Sequence, residues 1–302
     1  MSQIKIYLFA LISMTFWALS FVWYKDAFLS YGPITIIFFR LILSVTLLLM
    51  ITKIFKKNLR LERNDYKYMA LLSFFEPFCY FLGEGFGMQY VSPTTGAIII
   101  STIPLITPFV LMLMNLKETI HFKNFIGMVI SFAGIILVVT SDNASFSASL
   151  KGISLLFVAV ISAIFFSIIL KKVGNRYNSM VIVFWQNIFS LFYFLPLFLT
   201  LELESFLSSS HEPAAYFAII KLGTFPSTIS FILFIPVVTY LGASKANAFA
   251  NLIPVITAIF SYFYLGEQFL PLKALGVATV IGGLFFSQMR FIKTKTLGGE
   301  HE

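Results

Sequence analysis

At 302 residues the chain has room for two ordinary soluble domains, but 59% hydrophobic, 18% aromatic and only 11% charged residues exclude a water-soluble globule, whose surface so few polar side chains could not cover. The single cysteine, Cys79, excludes an intrachain disulfide framework, and His121, His211 and His301 all fall outside the apolar runs, so no intramembrane metal and no cofactor is expected. The net charge of +8 lies in lysines and arginines between apolar runs, as in loops facing anionic lipid and cytoplasm, which argues against a nucleic-acid partner.

Ten apolar runs have the roughly 17–25 residues that a helix needs to cross about 30 Å of hydrocarbon. The first, Ile6 to Tyr24, follows a short basic start without a small-residue cleavage site and reads as a retained helix; it carries Trp17, with Trp23 and Tyr24 placed as interface anchors. The second, Pro33 to Ile51, carries Arg40. The third, Tyr68 to Tyr90, contains "FFEPFCYFLGEGFG", with Glu76, Tyr80 and Glu84. The fourth, Ser92 to Asn115, holds Pro104, and the fifth, Phe122 to Thr140, holds Gly127 and Gly134. The sixth runs from Gly152 to Leu170. The seventh, Met180 to Leu201, includes Trp185, Gln186 and Asn187; the eighth spans Leu222 to Tyr240. Asn247, Asn251 and Pro254 lie in the ninth, Ala243 to Leu265, and Gly276 and Gly283 in the tenth, Leu270 to Met289. The alternation of a membrane barrel is absent, so an all-helical membrane protein is expected.

With the N-terminus inside, the cytoplasmic segments collect Lys53, Lys56, Lys57, Arg60, Arg63, Lys67, Lys117, Lys123, Lys171, Lys172, Arg176, Arg290, Lys293 and Lys295 among others, against Lys25, Lys151, Lys221 and Lys273 opposite. The positive-inside rule then puts both termini in the cytoplasm.

An offset of 150 residues lays "YVSPTTGAIIISTIPLITPF" (Tyr90 to Phe109) over "YLGASKANAFANLIPVITAI" (Tyr240 to Ile259), with Pro104 on Pro254. After a one-residue gap, Leu116, Glu118, Gly127 and Gly134 fall on Leu265, Glu267, Gly276 and Gly283. Ile12, Ser13 and Phe16 match Ile161, Ser162 and Phe165. The repeat unit is five helices, and because five is odd the second copy enters the membrane from the other side: two inverted five-helix halves. The expected organisation is a first repeat over 1–141, a connecting outer loop over 142–151, a second repeat over 152–290 and a cytoplasmic tail over 291–302.

The stretches Thr102 to Val139 and Leu252 to Phe286 resemble the two EamA modules of the drug/metabolite transporter superfamily, each with a helix proline, an acid near the loop and a glycine-bearing last helix. The resemblance covers nearly the whole chain and implies an inner-membrane permease that moves small metabolites or drugs, without naming its cargo.

Pro104 and Pro254 each delete a backbone hydrogen bond and should open their helices beside small polar residues, Thr94, Thr95, Ser101 and Thr102 in one half and Ser244, Asn247 and Asn251 in the other. Asn247 and Asn251, four apart, are expected on one face lining the pathway. Gly83, Gly85 and Gly87, with Gly127, Gly134, Gly276 and Gly283, read as close-packing positions.

An ionised acid at mid-bilayer costs about 2.5–3.5 kcal/mol, so Glu76 and Glu84 must point inward. Counting from the span ends places Arg40 at the depth of Glu84, which predicts an ion pair, and leaves Glu76 without a basic partner as the candidate for proton or cation binding, with Tyr80 one turn on. Trp17, Tyr80 and Trp185, with Asn187, are expected to cradle an apolar or cationic substrate.

No Walker-type loop and no soluble domain appear, so any uphill transport draws on an ion or solute gradient. No catalytic residue is expected: an intramembrane enzyme would need a nucleophile with a base, and the spans hold neither histidine nor aspartate. The reading is a secondary exporter of metabolites, amino acids or drugs, with protons as the candidate coupling ion, in contact with lipid as a monomer or homodimer; a channel or uniporter is the alternative.

Overall fold

The computed structural model describes residues 3–56, 58–115, 122–141, 146–268 and 270–288. Leu116, Lys117 and Glu118 of the first module, Lys57, His121 and the tail with Arg290, Lys293 and Lys295 lie outside the described residues.

In hydrocarbon each backbone amide and carbonyl must be paired within its own segment, and the chain answers with helices. They are α1 (Gln3–Ala27), α2 (Pro33–Ile54), α3 (residues 66–87), α4 (Pro93–Leu113), α5 (Phe122–Ser141), α6 (Phe146–Val173), α7 (Ser179–Ser208), α8 (Pro213–Leu241), α9 (Ala243–Leu265) and α10 (Pro271–Gln288). Seven are individually long and apolar enough to cross a membrane; α5 and α10 are shorter apolar helices and α3 is interrupted at its middle. The ten expected spans are therefore present. Several boundaries differ: α1 ends at Ala27 rather than Tyr24, α6 begins at Phe146 rather than Gly152, α7 runs on to Ser208 rather than Leu201, and α8 begins at Pro213 rather than Leu222, where Lys221 interrupts an apolar run whose first turns already pack Ala215, Ala218 and Ile219 inward.

The glycines of α5 and α10 set the relation between the halves. A Cβ on Gly127 would come 2.6 Å from the Gly283 carbonyl, and one on Gly134 would come 2.8 Å from that of Gly276. As one helix advances by seven residues its partner retreats by seven, so α5 and α10 run antiparallel. Exchanging the halves turns the first contact into the second, because Gly127 corresponds to Gly276 and Gly134 to Gly283. This is the contact pattern of an inverted repeat about a two-fold axis, with small residues letting the backbones touch.

The other devices also come in pairs. α4 breaks at Ser101 and Thr102, and Pro104 stands in the first turn of the helix that resumes there. In α9 a 3₁₀ stretch, Ala248–Asn251, precedes the turn that contains Pro254. Proline is tolerated at such starts because the missing N–H has no partner to lose. The third helix of each half widens into a π-type stretch, Phe74–Cys79 in α3 and Phe225–Ser230 in α8. Pro77 and Pro226 stand there, 149 residues apart. At Glu76 the backbone leaves the helical region altogether (φ −147°, ψ 120°), as the residue before a proline tends to, and the Glu76–Pro77 peptide bond is cis.

Gly283→Ala is expected to lower the thermal unfolding temperature of detergent-solubilised protein by several degrees, since its Cβ would meet the Gly127 carbonyl at 2.7 Å. At the adjacent Gly282 nothing lies within 4 Å of an added methyl, so Gly282→Ala should leave the temperature unchanged or raise it, alanine being favoured over glycine in a helix by about 0.5–1 kcal/mol.

Candidate functional site

Arg40, on α2, is 1% exposed, so its neighbours must replace the water that a guanidinium loses on burial. Nε donates to Ser227 Oγ at 2.6 Å and Nη1 to the Tyr24 hydroxyl at 3.0 Å. Its guanidinium carbon sits 4.0 Å from the centre of the Phe81 ring, a cation–π contact. Nη1 lies 3.8 Å from Glu84 Oε2, so the counter-ion inferred from depth does face the arginine. That separation is ionic rather than hydrogen-bonded. Glu84 is further held by the Tyr80 hydroxyl, which donates to Oε1 at 3.2 Å.

Glu76 is 6% exposed and faces inward, as the cost of burying an acid in lipid requires. It has no hydrogen-bond or ion-pair partner among the described residues. It lines a central cavity of about 40 Å³ together with Trp17, Arg40, Tyr80, Phe81 and Glu84, and with Ser167, Phe234 and Asn247 from the second half. The wall also contains the pairs Met14 and Ala163, Ile100 and Ala250, and Ile103 and Ile253. Each pair is one position and its counterpart in the other repeat, so the cavity sits on the pseudo-two-fold axis between the breaks of α4 and α9. Forty cubic ångströms admits water but not a solute, ligand pockets being about 300 Å³ or larger.

Several expected pathway residues stand elsewhere. Trp185 does not line the cavity: its ring lies near the N-terminal end of α7, donating to the Leu59 carbonyl at 2.8 Å and packing edge-on to Tyr66. Asn187 is fully buried but donates to Ser44 Oγ at 2.7 Å, in a hydroxyl cluster with Thr228, behind the cavity wall. Asn247 and Asn251 do not share the cavity face, because the intervening 3₁₀ stretch changes the phase between them. Asn247 accepts from Ser167 at 3.1 Å and lies 3.3 Å from Thr107 Oγ1, whereas Asn251 is absent from the lining and its Oδ1 is buried without a partner. Thr94 turns to the Glu267 carboxylate.

Tyr24 is not an interface anchor; α1 continues to Ala27 and the ring is fully buried on Arg40. Ser227, Ser44 and Phe234 were not anticipated. The signal available for Ser227 was "FPSTIS", a proline followed by three hydroxyl residues inside an apolar run, at the repeat offset from Pro77.

An all-helical membrane protein of two antiparallel halves around one cavity lined by charged side chains has the architecture of a membrane transporter. The chain is a member of the EamA-like transporter family of the drug/metabolite transporter superfamily, whose family model matches residues 4–140 and again 150–289. It is 27% identical to the uncharacterized transporter YetK of Bacillus subtilis, over 83% of this chain and 76% of that one. YdfC, another uncharacterized transporter of Bacillus subtilis, is 24% identical over 92% and 89% of the two chains. A chloroplastic WAT1-related protein of Arabidopsis thaliana is 25% identical over 89% of this chain and 66% of its own. A solved crystal structure superposes with a TM-score of 0.68 at 12% identity, covering 95% and 97% of the two chains, which shows the shared fold.

Replacing Arg40 by leucine strands Glu84 as a buried charge, and the loss of a partner in such a pair costs about 3–5 kcal/mol. Arg40→Leu should sharply reduce the yield of folded, monodisperse protein on size-exclusion chromatography. Combining it with Glu84→Leu should recover part of that yield.

Proposed function

We propose that this chain is a secondary active permease that exports small metabolites, amino acids or drugs by alternating access, with Glu76 as the group that binds a proton and the solute in turn. The observation that carries the reading is the charge count of the cavity. Its lining holds one guanidinium, Arg40, and two carboxyls, Glu84 beside it and Glu76 without a partner, so that with both carboxyls ionised the formal balance is −1 and the unmatched group is Glu76. One proton, or one positive group of a solute, neutralises it. Mutual exclusion between the two at one carboxylate is sufficient to couple an outward solute to an inward proton.

Supporting the carrier over a channel, the cavity is too small to be a continuous pore and lies between two helices that are broken at corresponding positions. Trp17, Tyr80, Phe81 and Phe234 supply apolar and π surface around Glu76, which suits an amine or an aromatic body. The distribution of lysine and arginine supports a plasma-membrane protein with both termini in the cytoplasm, with boundary lipid as its other partner and a monomer or homodimer as its assembly.

In proteoliposomes with an imposed pH gradient, Glu76→Gln is expected to abolish proton-driven solute flux while leaving the protein folded, because glutamine keeps the size and loses the charge. Gradient-driven flux that persists at the wild-type rate in Glu76→Gln rules out this role for the carboxylate.

A further inference from the structure

Two sets of side-chain contacts far from the cavity occupy equivalent positions on opposite faces of the molecule. On the face that carries the lysine- and arginine-rich loops, the segment between α6 and α7 meets the segment between α2 and α3. Asp65, 3% exposed, accepts from Arg176 Nη1 at 3.1 Å and from the Tyr177 hydroxyl at 2.5 Å. The Glu62 amide donates to the same Tyr177 oxygen at 3.3 Å. On the opposite face the segment between α1 and α2 meets the segment between α7 and α8. There the Tyr31 hydroxyl hydrogen-bonds His211 Nδ1 at 3.0 Å, and the Glu212 amide donates to Ser30 Oγ at 2.9 Å.

Under the inverted repeat, the α6–α7 segment corresponds to α1–α2 and the α2–α3 segment to α7–α8. Each face is therefore crossed by the same device: a hydroxyl from the first connection of one half takes the backbone amide at the start of the third helix of the other. Glu62 caps the turn leading into α3 and Glu212 caps α8, and they stand 150 residues apart. A tyrosine of each connection, Tyr177 itself on one face and Tyr31 beside Ser30 on the other, reaches a polar side chain of the other half. Burial and the hydrogen bond to Asp65 push the Tyr177 phenol up from its ordinary value, which keeps it a donor.

We infer that these are the two latches of the transport cycle, one per face, and that Tyr31, His211, Tyr177, Asp65 and Arg176 are positioning residues that decide which side the cavity opens to. The inference rests on the alternating-access reading above and adds where the halves part. With both latches made, the cavity is held at about 40 Å³, the size of an occluded state. The Asp65 latch contains an ion pair and is reinforced by the Trp185 to Leu59 hydrogen bond. Beside the His211 latch, the Glu202 carboxylate accepts from the Ile34 and Thr35 amides at 3.2 and 2.7 Å, and the Tyr31 and His211 rings pack against Phe206.

The test reads sidedness, which a merely structural defect would not move. A single cysteine on the cavity wall, Ala163→Cys in a Cys79→Ala background, is reacted with a membrane-impermeant maleimide in sealed vesicles of either orientation. Tyr31→Phe with His211→Ala should raise labelling from the His211 face at least three-fold without raising it from the other. Asp65→Asn with Tyr177→Phe should do the reverse. If either double variant fails to fold, Tyr31→Phe and Tyr177→Phe alone, each lacking one hydroxyl, carry the same expectation at smaller amplitude. Labelling that is unchanged, or that rises equally from both faces, overturns the assignment of the latches. Solute flux in the same vesicles separates the two readings: flux with unmoved labelling sinks the latches alone, and one-sided labelling without any flux sinks the transport reading alone.

Discussion

The structure depends on one desolvated cation. Arg40 sits where hydrocarbon would surround any side chain pointing outward, and its guanidinium is buried. Everything within reach is arranged to substitute for water: Tyr24 from α1, Phe81 and Glu84 from α3, and Ser227 from α8. Meeting that demand fixes the rotation of four helices about their axes. It also directs Glu84 and, one further step along α3, Glu76 toward the same interior.

The scaffold is symmetric and the chemistry is not. Glycine seams, helix breaks and proline-widened turns occur twice, once per half. The charges occur once. With Pro77 and Pro226 aligned, Phe225 and Leu233 stand where the first half has Glu76 and Glu84. The second half answers with neutral groups instead, Ser167, Ser227 and Asn247. An inverted repeat requires matching backbones if the molecule is to rock between two similar shapes; on the proposed reading a single acid is enough to bind one proton, and a matching one in the second half would add desolvation cost without a partner.

Much of this was legible in the residues. Apolar run length gave the number of spans, and counting from their ends at 1.5 Å per residue set Arg40 opposite Glu84, because depth in a helix is a property of position alone. What failed was azimuth and phase. Trp185 and Asn187 were assigned to the pathway because polar and aromatic residues within a span seem to need a watery neighbour, yet a backbone carbonyl or a serine of the next helix satisfies them. The 3₁₀ stretch before Leu252 breaks the four-residue repeat that would have put Asn247 and Asn251 together. Tyr24 was misplaced by a span end drawn three residues short of Ala27. The hydroxyls of α8 were passed over because serine and threonine in a membrane helix usually bond to their own preceding turn, as Thr46 does with Ile42, and nothing local distinguishes the ones that do not.

The central cavity is smaller than any metabolite, and the residues that would have to move apart, Ile100 and Ile103 against Ala250 and Ile253, lie on the two helices already interrupted at that level. If solute binds here, as proposed above, its admission is work done against packing, drawn from whatever the guest gains by contact. Apparent affinity will understate the intrinsic fit by the cost of that dilation. Weak equilibrium binding in this molecule would accordingly be no argument against rapid turnover, since a carrier that gripped its cargo tightly in the closed form would struggle to release it.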